Sequence, residues 1–199
     1  MNKLLIATSN PGKVLEYRVI LKDLPIELVT LKDLNIKNSV EEDGKTFKEN
    51  AIKKVKFYSE LTGLPTLAED SGLEIDYLNG EPGVKSRRWP GYDASDEELI
   101  QIALEKLKRV PQSQRGAQLR VVIALAINNN IQTFEGILRG EITEKPISAI
   151  IPGYPFRTLF YLPEINKVLG ELTMEEEAEI AHRKQAIEKA LPVIKEHLC

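Results

Sequence analysis

Only one of the 199 residues is a cysteine, and no apolar run approaches the length of a membrane span. The lone thiol, Cys199, excludes an internal disulfide and a cysteine-rich zinc site, and it is consistent with a reducing compartment. A membrane-spanning helix needs about 20 apolar residues, and the short apolar run near the start of the chain does not match a signal peptide. The sequence therefore predicts a cytoplasmic protein with no membrane partner.

An excess of basic residues is also missing. The chain has 27 lysine and arginine residues against 30 aspartate and glutamate residues, which gives a formal net charge of −3. Because a nucleic-acid-binding domain presents a basic footprint, nucleic acid is not an expected partner. The length suits one sizeable hydrophobic core, or one domain with a smaller lobe.

Apolar periodicity and helix-capping signals alternate along the chain. Thr46 and Ser95 each precede a glutamate by three residues, as the first residue of a capping box does. The last helix opens at Thr173, and Pro192 is expected to end or kink it. This order predicts an α/β fold with a mixed sheet. The predicted strands are 4–7, 26–31, 66–68, 73–77, 117–127 and 132–142, the last two joined as a hairpin; the predicted helices are one from 11, 47–61, 96–108 and one from 174.

Two adjacent carboxylates, Glu69 and Asp70, follow an apolar run and precede Ser71-Gly72. Carboxylates are rarely buried without compensation, and Mg²⁺, which takes oxygen ligands, is a frequent compensator. The pattern predicts a magnesium site at the end of a buried strand. A solvated strand end with an ordinary Ser-Gly turn is the alternative.

The segment from Thr8 to Lys13 reads as a tight loop entering a helix. Asn10 suits the N-cap, and Pro11 suits the first helical position. We expect free backbone amides at this helix start, with Lys13 adding positive charge in the first turn. Such a terminus favours phosphate, although the spacing is not that of a Walker loop.

A second acidic group, Glu41-Glu42-Asp43, precedes the helix that Thr46 caps. Acidic residues there could simply favour the helix dipole. Alternatively, one of them could bind Mg²⁺ together with a carboxylate of Glu69-Asp70, because Mg²⁺ is often held by one or two carboxylates plus substrate phosphates. The second reading predicts that the two loops meet.

The loop 81–91 carries three basic residues and the only tryptophan, Trp89. Its arginines could bind phosphate oxygens, or they could pair with acids on the surface. Trp89 is predicted to be a packing residue. His182 and Arg183 are predicted to lie inside the last helix, where a lone histidine is more often structural than catalytic.

Together these segments resemble the inosine triphosphate pyrophosphatase family, the Ham1-like house-cleaning enzymes of non-canonical purine nucleotides. The order and spacing of the segments hold over nearly the whole chain. The matching segments are Thr8-Ser9-Asn10-x-x-Lys13, the Glu41-Glu42 loop leading into Thr46-Phe47-x-Glu49-Asn50-Ala51, Glu69-Asp70-Ser71-Gly72-Leu73, Pro82-Gly83-Val84-x-Ser86-x-Arg88, and His182-Arg183.

The resemblance implies an elongated mixed-sheet α/β fold over residues 1–199, with two lobes and a central cleft. It further implies a homodimer and Mg²⁺-dependent hydrolysis of ITP, dITP or XTP to the monophosphate and pyrophosphate. By position, Asp70 matches the family's acidic catalytic residue, which binds the metal and helps activate water, and Glu41 matches a second carboxylate at the metal. The implied substrate-binding residues are Thr8, Ser9, Asn10, Lys13, Ser71, Arg88, Phe156, Arg157, His182 and Arg183.

The chain departs from this family where the base is expected. The family commonly carries Gly-Phe-Gly-Tyr-Asp-Pro-x-Phe, and this chain has Arg157 at the position of the aspartate and Pro155 at that of the second glycine. In the last helix, Glu177 replaces a substrate-contacting lysine and Ala181 a serine. We expect Arg157 and Glu177 to pair with each other, and we expect base selectivity to be altered.

Two alternatives stay open. The chain could be a pyrophosphatase for other bases, or it could be a nucleotide-binding protein without turnover. Retention of Glu41, Asp70 and Lys13 speaks against the second, because a pure binder does not need both the metal and the phosphate residues. Metal-assisted phosphoryl chemistry needs no nucleophilic side chain.

Overall fold

The computed structural model describes residues 2–148 and 152–199. Its described residues form a seven-stranded sheet in the order β2-β1-β3-β4-β5-β6-β7. The strands are β1 (Asn2–Ile6), β2 (Ile26–Thr30), β3 (Thr66–Ile75), β4 (Gly116–Ile127), β5 (Asn130–Ile142), β6 (Phe160–Leu162) and β7 (Lys167–Val168). The helices are α1 (Pro11–Ile20), α2 (Phe47–Thr62), α3 (Asp96–Lys106), α4 (Met174–Ile180) and α5 (His182–Leu198).

The sheet is mixed, which confirms the predicted fold class. Strand β1 pairs in parallel with both β2 and β3, whereas β6 runs antiparallel to β5 and to β7. The hairpin prediction is also confirmed: Asn128 and Asn129, between β4 and β5, have φ values of 51° and 63°. Asparagine tolerates this left-handed conformation, which tight hairpin turns require.

Helix starts follow the sequence signals closely. Asn10, Thr46 and Ser95 are the N-cap residues of α1, α2 and α3, and each side chain accepts hydrogen bonds from the helix's first turn. Helix α2 ends at Gly63, whose φ of 66° suits glycine at this position. Within the described residues, no helix is both long and apolar enough to span a membrane.

The chain divides into two compact units. The first comprises Met1–Asp70, Val121–Gly136 and Ala181–Cys199, and the second comprises Ser71–Arg120 and Ile137–Ile180. In the core of the first unit, Tyr17 of α1 and Ile187 and Ile194 of α5 are clustered with strand residues such as Leu4 and Ile123. In the second, Leu99 and Ala103 of α3 are clustered with Leu73 and Phe160.

The acidic pair does not lie at a strand end, so that prediction was wrong. Strand β3 runs without interruption from Thr66 to Ile75, and Ser71-Gly72 is part of it rather than a turn. The reason is tertiary: β1 pairs only with Thr66 and Leu67 of β3, and beyond them β4, the other neighbour in the sheet, keeps the backbone extended against the turn preference of Ser-Gly.

The C-terminal segment also differs from its prediction. It forms two helices, because Ala181 adopts an extended backbone with φ −58° and ψ 140°. His182 and Arg183 are therefore the first residues of α5 rather than residues inside a longer helix. Pro192 lies within α5 and does not end it. No glycine or proline marks Ala181, so no local signal in the sequence predicts this break.

Candidate functional site

Glu69 is buried in β3, 3% exposed, and is surrounded by cationic and hydroxyl donors. Lys13 Nζ lies 2.7 Å from Oε1. Arg183 donates from Nε to Oε2 at 2.8 Å and from Nη2 to Oε1 at 2.9 Å. The hydroxyl of Tyr17 donates a short hydrogen bond to Oε2. This bidentate Arg–carboxylate geometry fixes both side chains firmly.

Arg183 also donates from Nη1 to Glu16 Oε2 at 3.0 Å. We call Lys13, Glu16, Glu69 and Arg183 the ion-pair cluster; its two positive and two negative charges balance. Burial alone would raise the pKa of Glu69, but the charges of Arg183 and Lys13 outweigh burial and hold that pKa well below its ordinary value. Glu69 is therefore ionised and engaged within the protein, which makes it a positioning residue for Lys13 and Arg183.

Asp70 lies in different surroundings, because successive side chains of a strand point to opposite faces. It is 7% exposed. Asn50 donates from Nδ2 to Asp70 Oδ2 at 2.8 Å, and Lys54 Nζ lies 4.0 Å from Oδ1. Burial raises the pKa of Asp70, and nearby Glu42 adds to the rise, while Lys54 and Asn50 oppose it. A cation at the oxygens of such a buried carboxylate would stabilise its ionised form.

The prediction that the two acidic loops meet is confirmed through Lys54. Its Nζ lies 2.8 Å from Glu42 Oε2 as well as near Asp70. Asn50 joins the loops a second time, because its Oδ1 accepts from the backbone N–H of Gly44 at 2.8 Å. Glu42 is the acidic residue that Lys54 joins to Asp70, whereas Glu41 is exposed. Glu41 as a metal ligand stays a prediction.

Sequence reasoning missed the roles of Asn50 and Lys54. Their spacing of four residues in α2 carries the signal, because residues i and i+4 share one helix face. Glu16 and Tyr17 were also missed. No sequence signal identifies those two, because their partners are distant in the chain: Arg183 is 167 residues from Glu16, and Glu69 is 52 residues from Tyr17.

The start of α1 differs from the expected set of free amides. Asn10 Oδ1 accepts from the backbone N–H groups of Gly12 and Lys13 at 2.9 and 3.4 Å, and Thr8 Oγ1 accepts from Asn10 N–H at 3.2 Å. The capping side chain that marks the helix start in the sequence therefore occupies its amides. Ser9 is exposed in the same loop.

His182 is buried and neutral. Burial and the positive charge of Arg183 lower its pKa well below the ordinary value. Arg183 Nη1 lies 3.4 Å from His182 Nε2, and because a guanidinium only donates, Nε2 must accept and the ring proton is assigned to Nδ1. This Nδ1 is buried and has no hydrogen-bond partner among residues 2–148 and 152–199. The arrangement offers a donor to a ligand.

Helix α5 starts very close to Gly136 of β5, which fixes His182 in place. A Cβ at residue 136 would lie 1.8 Å from the backbone oxygen of His182. Only glycine permits this approach. Helix α5 therefore contacts the β4–β5 hairpin at Gly136.

In the second unit, Arg157 and Glu177 form an ion pair between Nη2 and Oε2, as the sequence predicted. The two side chains are 4% and 5% exposed. Phe156 beside them is buried and meets Trp89 edge to face, with ring centroids 6.2 Å apart, so Trp89 is a packing residue as predicted.

The two arginines of loop 81–91 lie in different surroundings. Arg87 forms an ion pair with Asp96, as the surface-pairing alternative predicted for this loop. Arg88 is exposed, and Ser71 is partly exposed in β3. Roles for Arg88 and Ser71 in substrate binding stay predictions.

The carboxylate oxygens at and near Asp70 are chemically suited to bind Mg²⁺. Carboxylate oxygens of Asp70 and Glu42 are hard ligands of the kind that Mg²⁺ takes, and the raised pKa of Asp70 reflects a burial penalty that a cation would relieve. Among residues 2–148 and 152–199, no group of three or more histidine, cysteine, aspartate or glutamate side chains is placed to hold a metal. Substrate phosphates and water would supply the other ligands.

Comparisons with known proteins all identify the same family. A model of the Ham1 family matches residues 4–193. The dITP/XTP pyrophosphatase of Geobacter sulfurreducens is 41% identical over 199 residues, covering 100% of this chain and 97% of that protein. The dITP/XTP pyrophosphatase of Yersinia pseudotuberculosis is 39% identical, covering 98% of this chain and 100% of that protein.

Two solved structures from this family share the fold of the chain. A HAM1 protein from Coxiella burnetii superposes with a TM-score of 0.86 at 38% identity, covering 98% of this chain and 100% of that one. A Ham1 protein from Staphylococcus aureus superposes with a TM-score of 0.84 at 33% identity, covering 98% and 99%. The resemblance and the α/β fold class are both confirmed.

Proposed function

The chain belongs to the Ham1 family, and from this premise we propose that it is a nucleoside triphosphate pyrophosphatase. Its substrates are non-canonical purine nucleotides, ITP, dITP and XTP, which it hydrolyses to the monophosphate and pyrophosphate to clean the nucleotide pool. The single observation that carries the proposal is the state of Asp70, a buried carboxylate with a raised pKa between Asn50 and Lys54.

Asp70 is the proposed catalytic residue. When bound, Mg²⁺ neutralises phosphate charge and lowers the pKa of a coordinated water. Asp70, with Glu41 or Glu42, would hold the ion, and an Asp70 oxygen would accept the proton of the attacking water. Asn50 keeps Oδ2 of Asp70 in position, and Lys54 limits the repulsion between Asp70 and Glu42.

Phosphate binding is assigned to Thr8, Ser9, Asn10 and Lys13. In the protein without substrate, Lys13 is held by Glu69, so its charge is positioned and partly neutralised before phosphate binds. Because its side chain is 19% exposed, Lys13 can contact an anion while it keeps Glu69 as a partner. Ser71 and Arg88 are proposed as further substrate contacts.

Base recognition is assigned to His182, Arg183, Phe156 and Arg157. The Nδ1–H of His182 is a donor without a partner among the described residues. Such a donor donates to a purine carbonyl oxygen and is left unpaired by an adenine amino group, and an unpaired buried polar group discriminates strongly. This chemistry supports a keto purine as the base.

The remaining expectations are part of the proposal. The chain acts as one domain with two lobes, as a homodimer, in the cytoplasm. A pyrophosphatase for other bases is the second candidate, and the exchange of charges at Arg157 and Glu177 is the specific observation that favours it.

The test is pyrophosphate release from ITP, dITP, XTP, the four standard nucleoside triphosphates and their deoxy forms, with and without Mg²⁺. We expect turnover of ITP and XTP that requires Mg²⁺ and falls at least about 100-fold in Asp70→Asn, the scale of losing a general base. Asp43→Asn is the matched control, because Asp43 is exposed and pairs with Lys53 at the surface. Turnover of other bases alone would favour the second candidate. Absence of turnover with retained nucleotide binding would reject both in favour of a binding protein.

A further inference from the structure

Two buried arginines of the second unit differ in how their donors are used. Arg115 is fully engaged with backbone carbonyls, which accept from its Nε, Nη1 and Nη2. Arg157 forms its ion pair with Glu177, but its Nε is buried and has no hydrogen-bond partner among residues 2–148 and 152–199. A buried donor left unpaired is unfavourable, so Arg157 has a donor that a ligand could use. The carbonyl partners of Arg115 are those of Leu107, Val110 and Thr143, at 2.8, 3.0 and 3.1 Å.

Aromatic side chains lie around this guanidinium. The Cζ of Arg157 lies 5.6 Å from the centroid of the Tyr154 ring, and the next residue, Phe156, is buried against Trp89. Aromatic faces are platforms for planar heterocycles. Arginine N–H groups pair with the carbonyl oxygen and ring nitrogen of a purine. Both properties suit a nucleobase.

The position of Arg157 is tightly determined. It lies in a short 3₁₀ helix, Pro155–Thr158, and a Cβ at Gly170 would lie only 3.2 Å from its backbone oxygen. Glu177 fixes the guanidinium end. A buried ion pair contributes little net stability compared with an apolar pair of the same shape, so stability alone does not account for these two charges.

We propose that Arg157 reads the base: its Nε–H donates a hydrogen bond to a carbonyl oxygen of the purine, and Glu177 is the positioning residue that holds the guanidinium and balances its charge. This inference rests on the proposed pyrophosphatase function. Because arginine can only donate, it favours bases with carbonyl groups and disfavours an amino group at the same position.

The test compares ratios of kcat/KM, which do not depend on the fraction of folded enzyme. XTP and GTP differ only in a carbonyl or amino group at position 2, and ITP and ATP differ in a carbonyl or amino group at position 6. We expect Arg157→Met to lower at least one ratio, XTP/GTP or ITP/ATP, about tenfold or more. The ratio that falls identifies the carbonyl. If neither ratio falls, the proposal is wrong.

Three further variants separate reading of the base from folding. Arg157→Met with Glu177→Met removes both charges together, so no unpaired carboxylate stays buried, and it should lower the same ratio. Glu177→Gln should lower it less, because the amide oxygen still accepts from Arg157. Arg115→Met is the matched control: it should lower the melting temperature and leave both ratios unchanged. A fall in the ratios of Arg115→Met equal to that of Arg157→Met would overturn the proposal.

Failure of the proposed function has a different signature. A wild-type protein that releases pyrophosphate from no nucleotide would reject the pyrophosphatase activity. An active wild type whose base preference survives Arg157→Met would reject only the role of Arg157.

Discussion

Glu69 and Asp70 are neighbours in β3, yet their surroundings shift their pKa values in opposite directions. The pKa of Glu69 is lowered, because the charges of Arg183 and Lys13 outweigh its burial. The pKa of Asp70 is raised, chiefly by burial. Adjacent strand residues face opposite sides of the sheet, so one carboxylate completes the ion-pair cluster and the other lies beside Asn50 and Lys54. Such divergent environments commonly separate catalytic roles.

Glu69→Gln should lower the free energy of unfolding by about 3 kcal/mol, because it leaves a buried positive charge without its main partner. Equilibrium unfolding in urea measures this. Glu27→Gln is the control, since Glu27 pairs with Lys3 at 3.5 Å with both side chains about half exposed, and such pairs contribute about 0–1 kcal/mol. Equal effects of the two substitutions would contradict the assigned role of Glu69.

The same variant has a pH signature. A carboxyl group whose pKa is lower in the folded than in the unfolded protein stabilises the fold above the unfolded pKa. For Glu69 this stabilisation is present above about pH 4.5 and is lost as the pH falls further. Urea midpoints below pH 4.5 should therefore fall less steeply with acid in Glu69→Gln than in the wild type.

The acidic limb of the pH–activity profile should depend on Mg²⁺. Asp70 must be ionised to hold the cation, and its raised pKa delays ionisation to higher pH. Bound cation favours the charged form, so raising the Mg²⁺ concentration should move the acidic limb of kcat/KM toward lower pH. A limb that is independent of Mg²⁺ would separate Asp70 from the metal.

Lys54→Met should move that acidic limb to higher pH. The substitution removes a positive charge that lowers the pKa of Asp70, and it leaves Glu42 to repel the ionised form. Lys53→Met is the neighbouring control, because Lys53 pairs with exposed Asp43 at 2.6 Å. The measurement is the pH profile of kcat/KM for both variants at one fixed Mg²⁺ concentration. Equal shifts of the acidic limb in Lys54→Met and Lys53→Met would contradict the role of Lys54.

Gly136→Ala should destabilise the protein and reduce turnover together. The new Cβ would lie 1.8 Å from the His182 backbone oxygen, so the start of α5, with His182 and Arg183, must move. Gly63→Ala is the comparison: nothing lies within 4 Å of its Cβ position, and its positive φ alone costs about 1–2 kcal/mol. Urea unfolding and ITP turnover should both show the larger loss for Gly136→Ala.

Local signals in the sequence determined much of the framework. Side chains that cap their own helix determined the starts of α1, α2 and α3, and the asparagines after β4 determined the hairpin, because each of these interactions spans only a few residues. The pairing of Arg157 with Glu177 also followed from the sequence. Arg157 stands where the family has an aspartate and Glu177 where it has a lysine, so both charges are reversed together.

Tertiary structure decided what those signals could not reach. The sheet held Ser71-Gly72 extended within β3 instead of turned, and packing against Gly136 accompanied a break at Ala181 that no local residue marks. The ion-pair cluster joins α1, β3 and α5, so no local spacing along the chain relates Glu69 or Arg183 to the two members in α1. The sequence determined which carboxylates and cations are present. Only the folded contacts decided that the charge of Glu69 is neutralised within the protein and that burial raises the pKa of Asp70, because burial and charge pairing depend on neighbours distant in the chain.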